Sequence, residues 1–208
     1  MPLTIMRAWR LASLDIAVLA VGIPAEWPDD HRWVFPMVDL LPPPVGTSIA
    51  AFGFPDSQFR AHHADGPPIL NMSPSSSTGE VLEIHHQARD ASRLPVPCFR
   101  TNARFDGGMS GGPVFNNQTG HVCGVVCSSI PATTTEDEHI SYASTIWPVL
   151  GTPVDASESG PSGATPYPLM NLYASGVLRA RGMEHLRLDG KQVSATYDAK
   201  RWNEGRSG

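Results

Sequence analysis

Short apolar runs, many alternating with polar residues and most bounded by glycine or proline, divide this chain into pieces the length of β-strands. Ser13 to Val21 reads as a buried strand, since Leu14, Ile16, Val18, Leu19 and Val21 leave little room for a polar face. A proline-rich connection holding Trp27, Trp33 and Phe35 follows from Gly22 to Pro44, and Val45 to Phe54 reads as the next strand. The polar stretch from Asp56 to Thr78, which includes Ser73 to Ser77, reads as a surface loop. Further strands are expected at Gly79 to Gln87, Pro97 to Asn102, Pro113 to Asn116, His121 to Ser129 and Glu138 to Ser144. Beyond Leu150 the pattern changes. Gly151 to Pro168 has the composition of a linker, Leu169 to Arg181 has helical character, and Met183 to Tyr197 reads as a hairpin about the turn pair Asp189-Gly190.

Composition agrees with this pattern. The 208 residues, 41% of them hydrophobic, suffice for a sizeable core, and 20 prolines with 19 glycines imply many turns between short strands. An all-β domain is the expectation. A net charge of -5 without a basic run argues against nucleic acid as a partner. Cys98, Cys123 and Cys127 are odd in number and lack paired metal-ligand spacing, so neither a disulfide framework nor a metal site is expected, and no cofactor motif is present. Cys123 and Cys127 stand four apart and on a regular strand would share a face as small buried residues. Arg7 and Arg10 followed by Leu11 to Ala25 imitate a signal peptide, but Asp15 interrupts the apolar stretch, which is also too short for a membrane span.

The chemistry concentrates in Phe105-Asp106-Gly107-Gly108-Met109-Ser110-Gly111-Gly112-Pro113-Val114-Phe115. A serine attacks a carbonyl only if its oxygen stands clear of the backbone, a base takes its proton, and N-H groups receive the developing oxyanion. Glycines around Ser110 admit positive φ and let a substrate carbonyl lie against main-chain amides. The plainer alternative is a glycine-rich hairpin whose serine caps a turn.

Gly108-Met109-Ser110-Gly111-Gly112-Pro113 resembles the G-x-S-G-G-P nucleophile loop of chymotrypsin-like (trypsin-like) serine peptidases. Leu14-Asp15-Ile16-Ala17-Val18-Leu19 resembles the family's segment carrying the catalytic aspartate, and Val45 to Pro55 resembles its strand ending in a Gly-aromatic-Pro turn. The resemblance spans Ser13 to Leu150 and is to the disulfide-poor bacterial type. It implies a double β-barrel, the first barrel incomplete, with a C-terminal helix and hairpin extension. Residues 1-44 would be the remnant of the first barrel, 45-150 the second barrel, and 151-208 a linker plus extension. Ser110 would be the nucleophile, Asp15 the orienting carboxylate, and the amides of Gly108 and Ser110 the oxyanion donors. Ser128, Ser129 and Ile130 would pair with an extended peptide. Arg104 stands where trypsin-type enzymes carry an acidic specificity residue, so a small or apolar side-chain preference is expected. Met109 replaces the acidic residue of activation-cleaved relatives, which argues against activation by a freed N-terminal amine.

The family's histidine precedes its aspartate, and here no residue before Asp15 is histidine; the eight histidines all follow it. Three explanations stay open: an internal methionine mistaken for the start, a fragment, or a pseudoenzyme, and the first is favoured because Ser110, its glycines and Asp15 all keep the catalytic pattern. Two functions follow. One is a serine endopeptidase acting on a polypeptide by acylation of Ser110; the other is a noncatalytic module that binds a peptide in the same cleft.

Overall fold

The computed structural model of this protein describes residues 4-10, 14-23, 34-60, 69-92, 94-130, 139-154, 167-176, 178-189 and 192-196. In chain order the first strands are β1 (Thr4–Arg10), β2 (Ala17–Gly22), β3 (Val38–Asp39), β4 (Ser48–Gly53), β5 (Gln58–Arg60) and β6 (Ile69–Asn71). The long β7 (Ser75–His85) leads to β8 (Cys98–Thr101), β9 (Pro113–Asn116), β10 (Val122–Ile130) and β11 (Ile140–Ser144). A 3-10 turn at Trp147–Gly151 is followed by β12 (Pro153–Val154), β13 (Tyr167–Pro168), the short helix α1 (Met170–Ala174) and β14 (Ala180–Arg181). The hairpin of β15 (Leu186–Asp189) and β16 (Gln192–Ala195) ends the described chain.

Six of these strands close on themselves. Antiparallel pairing runs β4, β7, β8, β11, β10, β9 and back to β4, leaving no free edge around the ring. Alternation fills the interior. In β4, Ile49 and Ala51 point inward and are fully buried, and Val81, Ile84, Phe99, Val114, Cys123, Val126 and Ala143 meet them from the other strands. The expectation of an all-β barrel is met.

A second core lies outside the barrel. Leu40 and Leu41, just after β3, pack with Trp147, Val149 and Leu150 of the 3-10 turn and with Val154 and Leu169. Trp9, Leu14, Ile16 and Val18 of the β1-β2 hairpin lean on this cluster, and so do Leu172, Leu178, Met183, Leu186 and Val193. Strand β3 joins the two cores by backbone, pairing in parallel with β10 at Val122 and with β14 at Ala180. Beside this junction Asp39 Oδ1 accepts a hydrogen bond from His121 Nδ1 at 2.9 Å, with Arg181 Nε 4.0 Å away.

Five expectations need correction. The strand read as buried over Ser13 to Val21 is Ala17–Gly22, and it alternates, with Leu19 and Val21 exposed. The stretch read as a polar loop contains the β5-β6 pair, and β7 begins at Ser75, because Ser75 to Thr78 pair their backbone with Gly53 to Ala50 whatever their polar side chains prefer. Helical character at Leu169 to Arg181 is realised only as Met170–Ala174; Gly176 at φ 78° ends it, and Ala180–Arg181 is taken by the sheet. Within the segment read as a linker, Pro153 and Val154 pair with Pro168 and Tyr167. Cys123 and Cys127 do not share a face, because the register of β10 shifts between Val122 and Gly124, so that Val126 rather than Cys127 joins Cys123 in pointing inward. Cys123 stays in the barrel core, whereas Cys127 packs outside it against Leu94, Cys98 and Tyr142.

Candidate active site

The connection from β8 to β9 is held rigidly on its way to Ser110. Ala103 N donates to Thr101 Oγ1 at 3.0 Å and Phe105 N to Ser141 Oγ at 3.2 Å, both hydroxyls belonging to fully buried residues. Phe105 and Met109 drop into the barrel core and pin the strand-turn-strand path on either side of Gly107 and Gly108. Met109 N then donates to Asp106 O at 3.0 Å, Gly112 N to Met109 O at 2.9 Å, and Gly111 N to Val126 O at 2.9 Å. Ser110 stands exposed at the apex.

This pattern consumes the amides of Met109, Gly111 and Gly112, while those of Gly108 and Ser110 meet no backbone acceptor among the described residues. Two unspent donors flanking an exposed hydroxyl are what a developing oxyanion requires. Glycine is needed for the arrangement. Gly108 has φ 95°, and a Cβ there would come within 2.9 Å of Pro55 Cα and 3.0 Å of Phe54 O. At Gly112 a Cβ would run into Phe52 O and lie 2.8 Å from Met109 O. The loop therefore rests on the Phe52 to Pro55 segment, a support that the Gly-aromatic-Pro pattern hinted at without saying what it carried.

Asp15 is exposed at the entry to β2 and lies close enough to Cys127 for its charge to act on that thiol. Burial first, and the Asp15 carboxylate further down the order of causes, push the Cys127 thiol up to about 11, against hydrogen bonding with Ser144 that pulls it down. Cys127 Sγ donates to Tyr142 O at 3.2 Å. Gly111 ties the Ser110 loop to Val126, the residue before Cys127 on β10.

Ser128, Ser129 and Ile130 pair with Tyr142, Ser141 and Ile140 on one side. Strand β9 reaches β10 only at Val122, Gly124 and Val125, so the other edge of Ser128 to Ile130 has no strand partner among the described residues. Arg104 is exposed and bound to Asp106 Oδ1 at 2.7 Å, a contact along the surface of its own loop.

Among the described residues no histidine reaches the Ser110 hydroxyl. His121 is engaged by Asp39, and Val126 is five residue steps further along the strand, roughly 16 Å of chain. His85 lies 3.7 Å from Glu83 and beside the Tyr142 ring, and His185 lies 3.5 Å from Glu184. His31, His62 and His63 fall outside the described residues, as do Trp27 and Trp33. No group of metal-ligating side chains is gathered among the described residues, and no helix among them is long and apolar enough to cross a membrane.

The family model described as "Trypsin-like peptidase domain" matches residues 1-125. No curated protein matches the chain. Among solved structures, the active form of the Rv3671c protease from M. tuberculosis aligns at 20% identity and a TM-score of 0.49, covering 77% of this chain and 61% of that one. The apo MamO protease domain from Magnetospirillum magneticum aligns at 18% identity and a TM-score of 0.44, covering 69% and 63%. The chain thus spans about three fifths of the length of these structures.

Proposed function

The chain belongs to the trypsin-like peptidase family, and from that membership we propose that it carries the nucleophile half of a serine endopeptidase, with Ser110 as the acylated residue. The observation that carries this reading is the pair of unspent amides, Gly108 and Ser110, beside an exposed hydroxyl in a loop whose Met109, Gly111 and Gly112 amides are bonded.

In the proposed reaction Ser110 Oγ attacks the scissile carbonyl of a peptide whose acyl half lies along Ser128, Ser129 and Ile130. The amides of Gly108 and Ser110 receive the oxyanion, and collapse of the tetrahedral intermediate expels the amine and leaves an acyl-serine that water hydrolyses. Asp15, exposed just before β2, orients the imidazole that takes the Ser110 proton. That imidazole belongs to the position ahead of Asp15 in the family's order, which these 208 residues do not contain. Residues 1-44 carry the aspartate segment, 45-150 the barrel with the nucleophile, and 151-208 an extension of which Leu169, Leu172, Leu178, Leu186 and Val193 pack in the second core. Arg104, paired with Asp106, does not offer the acidic anchor of a Lys/Arg-selective pocket, which favours small or apolar side chains.

The alternative is a noncatalytic peptide-binding module, and it is favoured by the lack of any described histidine at Ser110. Labelling with a fluorophosphonate probe separates the two, run on the 208-residue chain, on a form extended upstream in frame, and on Ser110→Ala of each. Labelling that requires Ser110 and the extension establishes the peptidase. Folded protein that never labels in either form leaves the binding module.

A further inference from the structure

Strand β9, which leaves the nucleophile loop, lies between β4 and β10, so the loop has two flanks. On the β10 flank is the open edge of Ser128 to Ile130. On the β4 flank the loop leans on Phe52 to Pro55: Gly112 abuts the Phe52 carbonyl, Gly53 abuts Met109, and Gly108 abuts Phe54 O and Pro55. The two aromatic side chains of this support do not enter the core. Phe52 is 38% exposed between buried Ala51 and Gly53, and the Phe54 ring meets it edge to face, with centroids 5.3 Å apart and planes at 82°. Across the sheet Phe52 stands opposite Ser76, an exposed small polar residue. An aromatic pair is thus held out of the barrel on the strand that supports the Ser110 loop, with no apolar neighbour opposite it on β7.

We propose that Phe52 and Phe54 form a subsite for an apolar side chain on the leaving-group half of a peptide bound across Ser110. The inference rests on the reading of Ser110 as the acylating residue and of the β10 edge as the acyl-side strand. A peptide that lies along Ser128 to Ile130 and crosses Ser110 in extended form continues over the opposite flank of the loop, toward the end of β4. It rises about 3.3 Å per residue, so the first two or three residues beyond the scissile bond pass the ring pair. Two rings set edge to face present both a π face and a rim, a surface suited to an aliphatic or aromatic side chain and unsuited to a charged one without a counter-ion. The chemistry selected is a polypeptide with a leucine-, methionine- or phenylalanine-like residue just after the cleaved bond.

Binding tests this without requiring turnover. Isotope-labelled 208-residue chain carrying Ser110→Ala is titrated with a decapeptide bearing leucines at the two positions after its central bond, and with the same peptide bearing serines there. Amide shifts of residues 50 to 54 should move with the leucine peptide, whose Kd should be lower by roughly tenfold. Phe52→Ala and Phe54→Ala should each erase most of that preference, and Phe52→Tyr should keep it, which separates a lost contact from a lost fold. Equal affinity for the two peptides, or a preference that survives both alanine variants, overturns the subsite. If fluorophosphonate never labels Ser110 in any form while the leucine preference persists and depends on Phe52, the catalytic reading fails and the subsite stands.

Discussion

Gly112 and Met109 show how closely one residue can control the candidate site. Because a Cβ on Gly112 would strike the Phe52 carbonyl, Gly112→Ala should cost about 1–3 kcal/mol in chemical denaturation and displace the amide of Ser110. Met109, 1% exposed, is a packing residue in the barrel core, and its truncation to alanine should cost about 2–5 kcal/mol. By contrast Ser110→Ala, at an exposed apex, should leave stability within about 0.5 kcal/mol of the parent, so that loss of probe labelling is read as chemistry. The three thiols give a pH prediction. Burial is the first cause that pushes Cys98 and Cys123 up to about 12 and Cys127 to about 11, against 9.0 for an ordinary thiol. The folded state holds these protons more tightly than the unfolded one, so the stability they contribute is complete below pH 9.0 and is lost as pH climbs toward about 11 and 12. Urea midpoints measured at rising pH should fall in that window, and substituting all three cysteines by alanine should flatten the fall. At this scale Ser110 and its glycines were legible in the sequence, since φ and exposure are local demands. The division of Cys123 and Cys127 between two clusters was not, because an irregular register within β10 decides it.

Strand β10 does most of the joining between elements. Its first residues pair with β9 and β3, its middle ties down Gly111 and Gly112, and its last three offer an open edge. The edge begins where β9 stops pairing at Val125, while β11 accompanies β10 on to Ile130 across the bulge at Cys127. At the other end, the Asp39 to His121 hydrogen bond braces the parallel joint of β3, β10 and β14. Asp39→Asn should weaken this brace by about 1 kcal/mol and speed amide exchange at Val38, Leu40 and Arg181, leaving the barrel amides slow. Unchanged exchange at those three amides would show that the joint depends on packing alone. The barrel strands were readable from alternation because one face of each is buried. The polar start of β7, the two-residue strands β12 to β14 and the brevity of α1 were not, because backbone pairing with distant partners fixes them.

The whole molecule is a closed barrel with a second core beside it, and that core draws on both ends of the sequence. Leu169, Leu172, Leu178, Leu186 and Val193 contribute to it from beyond the barrel, so a chain ending at Pro168 should lose more than about 3 kcal/mol in urea denaturation. A truncation that unfolds at the same midpoint would make the extension an appendage. The outer face of the β1-β2 hairpin presents Ile5, Leu19 and Val21, with Met6 and Ile23 nearby, all exposed. The 208-residue chain should therefore bind an apolar dye such as anilinonaphthalene sulfonate in its folded state, and Leu19→Lys should reduce the signal. By itself the sequence determined the strand-rich class, the family and the glycine-flanked loop that exposes Ser110, because alternation, glycine placement and short motifs express demands met within a few residues. Only the tertiary structure decided which strands close the ring, that the C-terminal extension joins the N-terminal hairpin in one core, and that Phe52 and Phe54 flank the Ser110 loop. Those relations link residues far apart in the chain, and their energy comes from surfaces that exist only once both partners are in place.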